Sequence, residues 1–295
     1  MLPHKLERSL RTFRDRKLRK YSNITLPSEI YTQENCYTIS FCTTCMNRLF
    51  HLKHTLEKNI KDNINYPNVE FVLINYNSQD QLDEYVKDNL SKYIKSGILN
   101  YYKTTEPQKF HASKAKNLSH ALAKGDIVCN VDGDNFIGKD FAYYLNYAFN
   151  QYGVNNIYQF HKPPYWGTVG RLAFFKEKFL ALGGYDESLL PIGHEDADLI
   201  NRGRKMGLEY RQDQTENFQR YLSNTILEKA VNCTDEEVDY FELQNSNTKI
   251  SNENIKNGLL VANSKGMENF VVYKNFEGVP LNSNDLIYGK KVVVE

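Results

Sequence analysis

Gly125-Asp126-Ile127-Val128-Cys129-Asn130-Val131-Asp132-Gly133-Asp134-Asn135 is the stretch on which both fold and chemistry turn. Ile127 to Val131 reads as a buried strand, and it runs straight into two carboxylates one residue apart. A hard divalent cation takes one or two carboxylates and fills its shell with water and phosphate oxygens, so this spacing suits an ion bridging a diphosphate. Gly133 between the acids lets backbone and ligand approach closely. The competing reading is an acidic turn at a strand end. An EF-hand fails in both registers. Counting from Asp132 puts Ile137 and Tyr143 where the loop needs Gly and Glu, and counting from Asn130 puts Asn135 and Phe141 there.

Upstream, the chain repeats strand, polar loop and helix. Tyr37 to Phe41 is the first strand, and after the loop Thr43 to Arg48 the residues Leu49, Leu52, Leu56 and Ile60 line one helix face. Val69 to Ile74 is a near-continuous apolar strand, followed by the polar loop Asn75 to Asp80 and a helical stripe of Leu82, Tyr85, Val86 and Leu90. Ile98 to Tyr102 is a third strand, and Ala115, Leu118, Ala121 and Leu122 mark a helix that Gly125 ends. Beyond the carboxylates, Phe141, Tyr144, Leu145, Ala148 and Phe149 predict another helix. Continuous rather than alternating strands mean burial on both faces, hence an α/β fold with a mostly parallel, Rossmann-like sheet flanked by helices. In such sheets ligands sit off the carboxyl ends of the strands, where all three polar loops converge. Neither of the first two loops contains glycine, which argues against a G-x-G-x-x-G dinucleotide site.

The chain has 295 residues, 41% of them hydrophobic, enough for one large core, and its 37 Lys and Arg nearly balance 36 Asp and Glu. No whole-protein field therefore attracts nucleic acid. Lys5 to Lys20 is the local exception, with eight basic residues against two acids. It reads as a solvated or partner-packed helix, with peripheral membrane contact through residues 5–20 as the alternative. No run approaches a spanning helix or a signal peptide, so a cytoplasmic location is expected. Cys36, Cys42, Cys45, Cys129 and Cys233 read as free thiols, and the Cys42/Cys45 pair reads as structural.

The second half carries strands at Ile157 to His161 and Arg171 to Phe175, a short helix at Lys176 to Leu182, and then a second acidic cluster. Glu195, Asp196 and Asp198 open a helix, where the dipole favours ionised carboxylates and so suits both a structural role and a general base. Past Asp235 the chain turns Asn-rich and acidic before β-like runs at Phe270 to Tyr273 and Lys291 to Val294.

The run Phe179-Leu-Ala-Leu-Gly-Gly-Tyr185 leading into Gly193-His-Glu-Asp-Ala-Asp-Leu-Ile-Asn-Arg202 resembles the C-terminal galactosyltransferase motif. Lys114-Ala115-Lys116-Asn117 ahead of the D-x-D strand resembles inverting, metal-dependent glycosyltransferases of the GT-A fold, including family 2 enzymes. The likeness spans roughly residues 37 to 225. It implies a UDP-sugar donor with Mn²⁺ (or Mg²⁺) on its diphosphate, Asp134 as the direct metal ligand and Asp132 holding the ribose or a metal-bound water. It implies Asp196 as catalytic base, with Glu195 orienting the sugar or acceptor. Thr43, Asn47 and Arg48 match the first-strand loop that contacts the nucleotide, and Lys114 lies where it could reach the phosphates.

Departures from the family are visible too. The acid that reads uracil is replaced by Asn75-Tyr76-Asn77-Ser78, leaving Asp80 or an asparagine such as Asn75 to serve. No histidine follows His194, so the third metal ligand falls to Asp213, Glu216, a backbone group or water. Ile192 stands where galactosyltransferases place a tryptophan. Trp166, beside Tyr165, offers a face for sugar stacking, against the alternative of a core tryptophan. The expected layout is a basic N-terminal helix and connector over residues 1–36, a GT-A domain over 37–230 and a C-terminal extension over 231–295 that serves as lid, acceptor contact or homo-oligomer contact. The expected function is transfer of a hexose (Gal, GalNAc or GlcNAc) from a UDP-sugar to a glycan acceptor, as in polysaccharide biosynthesis. A nucleotidyltransferase and a non-catalytic nucleotide-sugar or glycan-binding module are the rivals.

Overall fold

A computed structural model describes residues 25–163, 166–225, 228, 230–234 and 239–288. The basic segment Lys5 to Lys20 and the expected run Lys291 to Val294 lie outside them. Strands β1 (Ile39–Cys45), β2 (Val69–Tyr76), β3 (Leu99–Thr104) and β4 (Ile127–Asn130) lie parallel in the order β3-β2-β1-β4. Helices α1 (Leu49–Asn63), α2 (Ala112–Leu122) and α3 (Phe141–Tyr152) cover the two faces.

The period-two alternation of a strand feeds two cores at once. Phe41 and Cys45 of β1 pack with Leu52, Leu73 and Phe141 on one face, while Cys42 packs with Val72 and Leu118 on the other. Cys42 and Cys45 thus point to opposite sides of the sheet. Both are buried free thiols, and a C-x-x-C laid along a strand cannot bring its sulfurs together.

After β5 (Asn135–Phe136) and α3, the strand β6 (Asn156–Phe160) joins the sheet through β7 (Leu172–Phe175), which runs antiparallel to both β4 and β6. Helix α4 (Glu195–Lys205) follows, and β8 (Glu209–Asp213) adds a parallel edge beside β6. The sequence of β8, Glu-Tyr-Arg-Gln-Asp, has no apolar run to betray it, because an edge strand half in solvent does not need one. A short ribbon of β9 (Arg220–Tyr221) on β5 carries the chain back over the D-x-D loop.

The tail reaches the same sheet. Helix α5 (Tyr240–Lys256) packs on α4, β10 (Val271–Lys274) pairs antiparallel with β3, and β11 (Pro280–Asn282) closes that edge, giving the order β11-β10-β3-β2-β1-β4-β7-β6-β8. Among the described residues no helix is long and apolar enough to cross a membrane.

Candidate active site

The parallel strands deliver their carboxyl ends to one rim. At the end of β4, Asp132 Oδ1 accepts from Asn130 Nδ2 at 2.9 Å, and that same amide also donates to Gly170 O at 2.8 Å. Asp134 Oδ1 accepts from Asn135 Nδ2 at 2.6 Å, and its Oδ2 accepts from Asn224 Nδ2. Burial, followed by the charge of Asp132, pushes the Asp134 carboxyl up to about 6, against the pull of Arg48. These are two acids held side by side by neutral amides, an arrangement a cation relieves.

The second acidic cluster sits in the first turn of α4. Lys116, projecting from α2 and 6% exposed, places its Nζ 2.8 Å from Asp196 Oδ1 and 3.0 Å from Glu195 Oε1. Glu195 also takes the Gly193 N–H at 2.9 Å. Burial opposes the charge on Glu195, but Lys116 and that N–H outweigh it and hold the carboxyl below its ordinary range. Burial dominates for Asp196, with Glu195 and Asp132 adding to it against Lys116, and its carboxyl rises to about 7. Burial disfavours the charge on Lys116 as well, yet the two acids hold its pKa well above the usual value.

Gly170, just before β7, joins the two clusters. A Cβ there would stand 3.0 Å from Asp132 Oδ2 and 3.0 Å from Asp196 Oδ2, so the D-x-D and E-D-x-D carboxylates face each other across this glycine. Nothing in the sequence around Gly170 signals this.

The tail builds the loop ahead of α4. Asn247, fully buried, donates from Nδ2 to Leu190 O at 3.1 Å, Ile192 O at 3.3 Å and Gly193 O at 2.7 Å, and accepts the Leu190 N–H at 2.7 Å. Gly193 has φ +96°, and the α5 backbone at Gln244 passes 3.1 Å from where its Cβ would be, so only glycine fits. Ser251 Oγ donates to Asp198 Oδ1 at 2.8 Å, while Asp198 Oδ2 accepts from Arg202 Nε at 2.7 Å. Arg202 in turn donates to Leu182 O and Gly184 O, so Asp198 and Arg202 tie α4 to the Gly183-Gly184 turn and face away from the chemistry. Leu243, Asn247 and Ser251, four residues apart, are the buried line of an otherwise polar helix. Tyr240 at its start has its hydroxyl pushed up to about 12 by burial and then by Glu195 and Asp196, which places α5 at the wall of the site.

The remaining expected residues fall into distinct places. Thr43 lies inside β1, paired with Leu73, with Oγ1 donating to Val131 O at 2.8 Å. Asn47, in the left-handed region at φ 55°, and Arg48 form the rim after β1, and Arg48 donates to Asn224 Oδ1. Asn75 is buried and spends its amide on Asp83, Tyr101 and the Ser78 N–H. Asp80 Oδ2 caps the first N–H of α1 at Leu49 at 2.9 Å, leaving Oδ1 buried without a partner. Lys114 pairs with Glu268, beside a cavity of about 540 Å³ also lined by Tyr76, Phe110, His111, Pro191 and Cys233. Tyr165 and the side chain of Trp166 lie outside the described residues.

The residues at β4 fit a hard divalent ion. Asp132 and Asp134 would hold it, and because no group of three or more His, Cys, Asp or Glu gathers among the described residues, water and phosphate would complete the shell. Asp213 is engaged by Tyr144 and the Thr215 N–H, and Glu216 by Lys162.

A family model described as glycosyl transferase family 2 matches residues 40–172, and one described as the N-terminal domain of galactosyltransferase matches residues 152–224. Among solved structures, the chain is similar to the mannosyltransferase PcManGT from Pyrobaculum calidifontis in complex with GDP-Man and Mn²⁺, at 14% identity and TM-score 0.55, over 85% of this chain and 79% of that one. It is similar to GalNAc-T7 with UDP, GalNAc and Mn²⁺ at 16% identity and TM-score 0.52, over 72% of this chain and 52% of that one. S. aureus TarS 1-349 with UDP aligns at 13% identity and TM-score 0.51, over 74% and 72%. At these identities the structural likeness is one of fold. No curated protein sequence matches the chain.

Proposed function

Because the chain is a family 2-like glycosyltransferase with the GT-A fold, we propose that it moves a hexose (Gal, GalNAc or GlcNAc) from a UDP-sugar to a hydroxyl of a glycan acceptor with inversion at the anomeric carbon. The observation that carries this reading is the meeting of the two carboxylate clusters across Gly170, with Lys116 ion-paired to Asp196.

In this mechanism Asp132 and Asp134 would hold Mn²⁺, which when bound would supply positive charge against that of the departing diphosphate. Asp196 Oδ2, on the Gly170 side, takes the proton of the acceptor hydroxyl as that oxygen attacks the anomeric carbon. A carboxyl raised to about 7 is a stronger base than an exposed aspartate and is still ionised in about half of the molecules at neutral pH. Lys116 keeps Oδ1 oriented and offsets the charge of Glu195, which fixes the Gly193 turn. Arg48 stands on the nucleotide side, joined to Asp134 through Asn224. Five free cysteines suit a cytoplasmic setting, in keeping with polysaccharide assembly.

The test is UDP release from a panel of UDP-sugars with oligosaccharide acceptors, in Mn²⁺ and in EDTA, with the anomeric configuration of the product read by NMR. Acceptor-dependent, EDTA-sensitive transfer with inversion is expected. Metal-independent turnover or a retained configuration overturns the reading.

A further inference from the structure

The nucleotide side of the site is bonded to the chain itself. Beyond β9, the Leu222 N–H donates to Asp134 O at 2.8 Å, and Asn224 donates to the Asp134 carboxylate while accepting from Arg48. Arg48 also donates to Glu228 O. Farther on, Asn232 inserts between the rim after β1 and the segment leading to α2. Its Oδ1 accepts from Asn47 Nδ2 at 3.0 Å, its Nδ2 donates to Met46 O at 3.0 Å, and its backbone O accepts the Phe110 N–H at 2.7 Å. Asn47 cannot turn its amide to do otherwise, because its Oδ1 accepts the Gln79 N–H at 2.6 Å.

Three residues assigned to the donor, Asn47, Arg48 and Asp134, therefore share one occupant. The contacts of Asn232 are also those of a base edge. One fixed amide donor and one fixed carbonyl acceptor hold an adjacent C=O and N–H, the pair that the ring carbonyl and ring N–H of uracil or guanine present.

We infer that the strap carrying Leu222, Asn224 and Asn232 competes with the donor nucleotide for one place, with Asn232 standing where a base bearing an adjacent ring carbonyl and N–H is read by Asn47 and Met46 O. This rests on the donor reading above and adds to it a base subsite and a self-made competitor. Nucleotide entry then displaces the strap, frees both Asp134 and Arg48, and transfers the Asn47 and Met46 contacts to the base.

The test compares binding of UDP and of GDP, each with Mn²⁺, to the full-length protein and to Asn232→Ala by calorimetry. The substitution removes two hydrogen bonds that only the strapped form makes, so the favoured nucleotide binds about tenfold more tightly to the variant. The tighter of the two nucleotides identifies the base. Amide exchange supplies the second measurement. On adding that nucleotide, exchange at the Leu222 and Phe110 amides should quicken as their strap bonds open. Equal or weaker binding by the variant overturns the inference, as does slower exchange at those amides, which would make the strap a cover rather than a competitor. Failure of both nucleotides to bind either protein removes the donor reading and this inference together. Equal binding to both proteins removes only this inference.

Discussion

Replacing Lys116 with Met keeps a long unbranched stem in the core but removes the charge shared by Glu195 and Asp196. Breaking a buried ion pair by deleting one partner costs about 3–5 kcal/mol, because the other charge is left uncompensated. Here two carboxylates are left, so the cost depends on pH in a defined sense. The folded pKa of Lys116 lies above its unfolded value, so its contribution is present throughout the neutral range and fades only at alkaline pH beyond the unfolded lysine value. Glu195 is depressed in the wild type, giving stability that is present above the unfolded glutamate value and lost as pH falls through the folded one. Without Lys116 both carboxyls rise, each protonating in the folded state before the unfolded one, so the deficit is smaller near pH 5, where protonation relieves the unpaired charge, than near pH 8.5, where it approaches the full figure. Catalysis shifts the same way: Asp196 starts at about 7, and the first further unit cuts its ionised fraction at neutral pH about fivefold, later units about tenfold each. Urea unfolding at the two pH values and a pH profile of kcat/KM measure both. A stability loss equal at both pH values, with an unmoved profile, would refute the reasoning.

Gly170→Ala puts a methyl 3.0 Å from both Asp132 Oδ2 and Asp196 Oδ2, so tight that both carboxylates must give way by a few tenths of an ångström, and should lower kcat about 10- to 100-fold while thermal unfolding changes little. Asn247→Ala leaves the carbonyls of Leu190, Ile192 and Gly193 without their amide donor. It should destabilise the protein by about 1–3 kcal/mol in denaturant titrations and lower kcat through a misplaced Glu195. Asp134→Asn should abolish the Mn²⁺ dependence of UDP binding in calorimetry, since one of two carboxylates at β4 becomes a neutral amide.

Much of the fold was legible because its signals are local. β1, β2 and β4 are buried on both faces and read as apolar runs, while the D-x-D and E-D-x-D acids stand close together in sequence. The rest depends on pairs that sequence keeps apart. Lys116 lies 79 residues from Glu195, and Asn247 lies 54 from Gly193, so nothing in either neighbourhood marks the contact. Thr43 was read as loop because polar residues follow Cys42, yet its pairing with Leu73 carries β1 on to Cys45. The region expected as a C-terminal extension supplies α5 and two strands of the main sheet, and its polar sequence conceals a buried line of only Leu243, Asn247 and Ser251.

The most direct measurement is the pH dependence of sugar transfer by Asp196→Asn beside the wild type, in Mn²⁺, with UDP-sugar affinity recorded for both. The wild type should gain activity as pH rises through about 7. The variant should bind the donor comparably, lose about 10²- to 10⁴-fold in kcat and show no such limb. Wild-type turnover by Asp196→Asn, or an unchanged limb near 7 in the variant, would contradict the assignment of Asp196 as the base that drives the transfer.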